Sequence, residues 1–247
     1  CSSDLVPTAA SNDGPCSRYF VRYDHTHQLE SVGLLRRSPD AVIVDTRLLV
    51  RAPKAMLLSG IGDALAKLYE GEQSHRSGAP NSFGGSVTIT AAALLHKCDV
   101  VIRADAVAAV QALDTGKPDE AFERLTEALV LLSGLAFENS GLSIAHSLTR
   151  GLPQSAAAAL APHGQQVAYG LMVQWQLERR ASDFMQAQRH FYKTVGLAAT
   201  LSELGETQVT DALLGLIAEA TFTSPHIANF ERALGCADLV QAMQALE

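Results

Sequence analysis

A mainly α fold, with an all-helical body behind a short β-rich N-terminal piece, is what this sequence predicts. Three observations carry the prediction. Helical spacing begins near Pro53 and persists to the C-terminus. The long segments there are rich in Ala, Leu and Val and are separated by Gly and Pro punctuation. Strand-like runs are confined to the part before Pro53. With 247 residues, 47% of them apolar, the chain is long enough to bury a substantial core.

Taken in order, Leu5-Val6-Pro7-Thr8 is a short apolar run broken by proline, and 9–15 is a dense turn cluster. Residues 19–23 read as a strand by their aromatic and β-branched content, and 41–45 as another. These strands are few and short, like the remnant of an α/β unit. Pro53 suits a first helical position, and Ala64, Leu65, Leu68 and Tyr69 follow at helical spacing. Ser86 is placed to cap a helix over 87–113. Asp119 opens another that runs to 132 and stops before Gly134. Further helices are predicted at 142–148, 165–178, 183–201, 209–219 and 237–246, and no fixed-period repeat emerges. The boundary between a β-rich unit at 1–52 and a helical domain at 53–247 follows.

Charge and composition exclude several classes. Nineteen Lys+Arg against 26 Asp+Glu give a net charge of −7, so a phosphate-binding surface is not expected and no nucleic-acid partner is predicted. No apolar stretch approaches the roughly 20 residues that span a bilayer, so no membrane partner is predicted either. The four cysteines are scattered without a CxxC pair, which fits a reducing compartment and a cytoplasmic protein.

Several residues invite chemistry. Asp63 is an acid inside an apolar stretch, and burying a lone carboxylate is costly, so it needs a counter-charge, which a divalent cation would supply. His146 lies in a helix opening after a Gly-containing turn, and His163 sits between Pro162 and Gly164 at the start of the next long helix. Asp and two His make a three-point zinc ligand set with a position left for substrate. A chain with eight His offers many such triples, and the alternative is that both imidazoles are capping or core residues. His25 and His27 share one face if their segment is a strand, but beside Asp24 they read as a surface turn. Gly60-Ile61-Gly62 begins like a dinucleotide fingerprint, but Leu65 stands where the third glycine belongs and no strand precedes it.

The run Val6-Pro7-Thr8-Ala9-Ala10-Ser11-Asn12-Asp13-Gly14-Pro15-Cys16-Ser17 resembles the signature of the metal-dependent group III (iron-containing) alcohol dehydrogenase superfamily, and within it the glycerol dehydrogenases. Val44-Asp45-Thr46, 60–66, 132–146 and Pro162-His163-Gly164 agree with it in order and spacing. The resemblance implies a dehydroquinate synthase-like architecture, an all-α metal-binding domain preceded by the remnant of an α/β nucleotide-binding domain. It implies NAD-linked oxidation of glycerol to dihydroxyacetone. It assigns Asp63, His146 and His163 to zinc (iron also suits such ligands) and Asp13 to substrate hydroxyls. Thr8, Ser11, Ser17, Tyr19 and Tyr23 match positions lining the NAD site, with Tyr19 in place of a commoner aliphatic residue. Asn139-Ser140-Gly141 departs from the usual Ser-Gly-Gly run of the pocket wall.

Family members carry a further N-terminal stretch with the glycine-rich pyrophosphate loop, so this sequence is expected to be part of a longer, homo-oligomeric enzyme. Two other readings stand beside this one. The first is a relative acting on another small hydroxy compound, and the second a non-catalytic helical remnant.

Overall fold

The computed structural model describes residues 4–23 and 29–247; Cys1, His25 and His27 lie outside them, as do the side chains of Tyr23 and Leu29. Two small sheets form the N-terminal part. β1 (Asp4–Leu5) pairs in parallel with β4 (Ala41–Val42), Asp4 opposite Ala41. β2 (Tyr19–Tyr23) and β3 (Leu29–Leu34) make an antiparallel pair in which Tyr19 faces Leu34. The strand expected over 41–45 is shorter because Asp45 turns away to cap α1 (Thr46–Leu49), its carboxylate accepting from Arg47 N. β3 was hidden in the sequence by Gly33, whose open face is covered by the Phe20 ring of the opposing strand.

Helices account for the rest. α2 (Lys54–Ser77) begins directly after Pro53. α3 (Ile89–Thr115) is a single helix whose cap is Thr88, accepting from Ala91 N, rather than Ser86. Asp119 does cap α4 (Glu120–Glu127). The helix does not stop before Gly134, however. It passes through one π turn (Ala128–Leu132) into α5 (Ser133–Glu138). Gly134 is there for closeness: a Cβ would press on Asp13 O and Cys16 Cβ, both 3.2 Å away.

α6 (Ile144–Leu148), α7 (Ala156–Leu160), α8 (His163–Leu177), α9 (Ser182–Val195), α10 (Asp211–Thr221) and α11 (Cys236–Gln244) complete the chain. α9 ends at Val195 rather than 201, because Gly196 takes the left-handed conformation (φ +102°) that closes a helix.

α2 is the central element. It is buried on all sides from Leu57 to Leu68 and packs between α8 and α3, while α6 lies on α8. Ala10, Leu49 and Val50 of the N-terminal part join the same apolar core. Among the described residues no helix is long and apolar enough to cross a membrane, and Cys16, Cys98 and Cys236 are free thiols.

The α2–α8 contact is a backbone contact. A Cβ on Gly164 would overlap the Ser59 carbonyl, and one on Gly62 would overlap that of Gly164. Gly164 N also donates to Ser59 Oγ at 3.0 Å. Gly164→Ala should therefore lower stability by about 1–3 kcal/mol or more, the cost of overpacking. Gly215→Ala, in α10 with open space around it, should raise stability by about 0.5–1 kcal/mol. Urea melts of the two variants check both signs.

Candidate active site

Each of the four residues singled out as metal or substrate groups comes from a different element. Asp63 lies mid-way along α2, His146 in α6 and His163 at the first residue of α8; Asp13 precedes the tight turn Gly14–Cys16. The close α2–α8 approach brings Asp63 and His163 together. Asp63 Oδ1 lies 3.0 Å from His146 Nε2 and 3.9 Å from His163 Nε2. One donor atom from each of the three falls within 4.8 Å of the others.

Two further residues, overlooked in the sequence, complete the cluster. Lys67 and Glu70 follow Asp63 at i+4 and i+7, on the same face of α2. Lys67 Nζ lies 2.9 Å from Asp63 Oδ1, 3.2 Å from Asp13 Oδ2 and 3.2 Å from His146 Nε2, above the Phe137 ring. Glu70 Oε2 is 2.5 Å from His146 Nδ1, and its Oε1 accepts from the backbone N–H groups of Ser143 (2.8 Å) and His146 (2.9 Å). One carboxylate thus orients the imidazole and satisfies the open end of α6. Ser133 Oγ donates to Asp13 Oδ2 at 3.0 Å. The signal for these residues was three charges in helical register inside an otherwise apolar run.

Burial and pairing set the protonation states. Burial pushes Asp63 up, but Lys67 and His146 outweigh it and hold the carboxyl well below its usual range. Asp13 is raised by burial, with the Asp63 charge adding to it against Lys67 and Ser133. Lys67 is disfavoured by burial yet held above the ordinary lysine value by Asp13, Asp63 and Glu70. Burial raises Glu70 less than His146 lowers it. His163 is pushed down to about 4, first by burial, then by the charges of His146 and Lys67 against that of Asp63. His146 goes the other way: burial pushes it down, but Glu70 and Asp63 together outweigh burial and the Lys67 charge.

The donor set fits a divalent ion. A tetrahedral ion bonded at about 2.0–2.1 Å needs donors some 3.3 Å apart, close to the separations found around Asp63. The one misfit is Lys67, whose ammonium stands beside the same donor atoms.

The cofactor-matching residues lie together on the N-terminal segment, apart from this cluster in sequence. Thr8 is exposed and Ser11 and Tyr19 half-buried, with the Tyr19 ring 5.5 Å from that of Phe137. Ser17 is buried, its Oγ donating to Glu138 Oε1 at 2.7 Å. Tyr23 has its backbone on β2.

No protein-family model matches the chain. It is 36% identical over 215 residues to the glycerol dehydrogenase of Thermotoga maritima and, equally, to the glycolaldehyde reductase of Halobacterium salinarum. Each match takes in 87% of this chain and 59% of the relative, so the chain spans less than two thirds of those proteins. A probable glycerol dehydrogenase from Sinorhizobium meliloti superposes with a TM-score of 0.94 at 35% identity, covering 100% of this chain and 70% of that one. Iron-containing alcohol dehydrogenases superpose at 0.71 and 0.76 with 20% and 17% identity, a likeness of fold alone.

Fold and relatives together place the chain among proteins with the iron-containing alcohol dehydrogenase fold. Within that class the chain belongs to the glycerol dehydrogenase family.

Because Glu70 raises His146, their pairing stabilises the metal-free fold fully below the unfolded histidine value of about 6.5 and loses effect as pH rises through the folded value. Glu70→Gln should bring the His146 titration, followed by NMR, down towards the ordinary value. The stability gap to wild type should be widest between the ordinary glutamate and histidine values, about 4.5 to 6.5, and narrow on either side as Glu70 gains or His146 loses its proton. An unchanged titration would take the orienting role away from Glu70.

Proposed function

We propose that the protein carrying this chain is a polyol dehydrogenase, oxidising glycerol at its secondary hydroxyl to dihydroxyacetone with NAD. The observation that supports this best is the convergence of Asp63, His146 and His163 beside Asp13. In this reading Asp63, His146 and His163 hold zinc, or iron, which their donor chemistry equally accepts. When bound, the metal supplies Lewis-acid polarisation of a hydroxyl oxygen and NAD supplies the hydride acceptor.

The chain's own residues do the positioning. Asp13, an acceptor held by Ser133 and Lys67, takes hydrogen bonds from polyol hydroxyls that a monohydric alcohol cannot offer in the same number. Glu70 fixes the His146 ring so that Nε2 points at Asp63.

Thr8, Ser11, Ser17, Tyr19 and Tyr23 line the NAD side, with 1–52 the C-terminal part of the cofactor domain and 53–247 the metal and substrate domain. Two features support that division. Val6, Phe20, Val32 and Ile43 expose apolar side chains in the strand region. β1 and β4 pair in parallel, an arrangement ordinarily covered on both faces. A cytoplasmic homo-oligomer is the form proposed for the whole protein.

The equal identity to a glycolaldehyde reductase supports a second substrate, a small hydroxyaldehyde reduced with NADH. A screen by NADH absorbance over glycerol, propane-1,2-diol, 2-hydroxy acids and glycolaldehyde decides between them. Turnover of the two polyols is the expected result; turnover confined to hydroxy acids or to glycolaldehyde overturns the polyol assignment. Asp13→Asn should cut kcat/KM for glycerol roughly 10- to 100-fold, the scale of a lost hydrogen bond to a charged group, mostly through KM and with the helical circular dichroism intact.

A further inference from the structure

Lys67 is the feature of the site that the dehydrogenase reading leaves unused. Its Nζ carries three N–H donors; Asp13 Oδ2 and Asp63 Oδ1 accept from it at 3.2 and 2.9 Å, and His146 Nε2 stands 3.2 Å away. Its side chain is only 3% exposed. The ammonium is therefore enclosed by protein groups, two carboxylates and the Phe137 ring among them. Two of those neighbours, Asp63 and His146, also belong to the three-residue donor group.

Any ion bonded to both at about 2.0–2.1 Å sits within about 4 Å of Nζ, with protein groups rather than solvent around the pair. Like charges that close in a buried site oppose one another strongly. The tether makes this encounter unavoidable, since Lys67 leaves the same helix one turn after Asp63.

We propose that Lys67 is a resident cation of this site, holding the place between Asp63 and His146, so that a divalent ion enters only as the ammonium withdraws towards Asp13. The inference rests on the reading of Asp63, His146 and His163 as metal ligands. It makes metal occupancy and the state of Asp13 interdependent. With the ion absent, Lys67 spans Asp13 and the ligand pair. With the ion present, Asp13 and the Phe137 ring are what remain to receive it. A pocket carboxylate expected to contact substrate thereby gains or loses a share of its counter-charge as the ion comes and goes.

The test is metal binding by the full chain rather than turnover. Zinc affinity is measured by calorimetry, and cobalt(II) binding by its visible spectrum, in wild type, Lys67→Met and Lys67→Gln, with thermal melting to confirm folding. Removing the ammonium should tighten zinc and cobalt binding on the order of 10–100-fold, the scale on which a neighbouring charge moves such equilibria. His163→Ala added to Lys67→Met should abolish the gain.

Equal affinities in wild type and variants overturn the proposal while leaving the ligand set standing. Weaker binding in the variants also overturns it, by making Lys67 a fourth ligand. Folded protein that binds neither ion in any form overturns the ligand reading itself, and the proposal with it. Should Lys67→Met not fold, Lys67→Gln, with a hydrogen-bonding end but no charge, carries the same comparison.

Discussion

The buried ammonium of Lys67 is the interaction around which the rest of the molecule is arranged. Three carboxylates, Asp13, Asp63 and Glu70, lie almost fully out of water within the reach of one face of α2. A lone buried charge is not tolerated, so their companions must be internal, and the structure supplies Lys67 and His146. Removing one member of such a group costs about 3–5 kcal/mol, because it strands the others. This is a constraint on assembly as much as on chemistry. α2, α5, α6 and the loop carrying Asp13 must all arrive at one point, or charges are left unpaired.

That convergence requires backbones to approach more closely than side chains ordinarily allow. Gly60 lies against the carbonyl of Ala10, and Gly62 against that of Gly164. Two glycines a residue apart point to different neighbours, one to the N-terminal segment and the other to α8, with Asp63 directly after them. The Gly-Ile-Gly run therefore serves packing, and its position next to the acid is what sets that carboxylate among three other elements. A single Cβ at Gly164 would push α8 away and carry His163 with it.

Much of this was legible in the sequence. The helical body, the cap at Asp119 and the helix start at Pro53 could be read from punctuation, while Asp63, His146 and His163 stood out from their surroundings and were grouped by the family resemblance. What could not be read has physical reasons. Gly134 and Gly196 look alike in sequence, yet one sits inside a helix because a neighbour is close and the other ends a helix by its positive φ. β3 lacks a clean alternation because at Gly33, next to its end, the Phe20 ring of the opposing strand stands where a side chain of its own would be. Lys67 and Glu70 were missed because only their register with Asp63 is legible, whereas the place of α2 as the central, buried helix is not. Charge on a helix face carries no sign of whether water or protein will meet it.

The N-terminal segment is fastened to the helical body at two polar points as well as by apolar contact. Asp13 meets Lys67 and Ser133, while Ser17 Oγ and Arg18 N both donate to Glu138 Oε1, at 2.7 and 2.5 Å. Apolar packing tolerates sliding, whereas hydrogen bonds and ion pairs fix direction. Ser133 and Glu138 belong to α5, which follows the π turn at Ala128–Leu132. A π turn adds a residue to the helical cycle and so rotates everything after it. That rotation is what allows one short helix to offer a hydroxyl to Asp13 and a carboxylate to Ser17. α5 thus holds the N-terminal segment at both of its ends, while its Phe137 ring lies against the Lys67 ammonium.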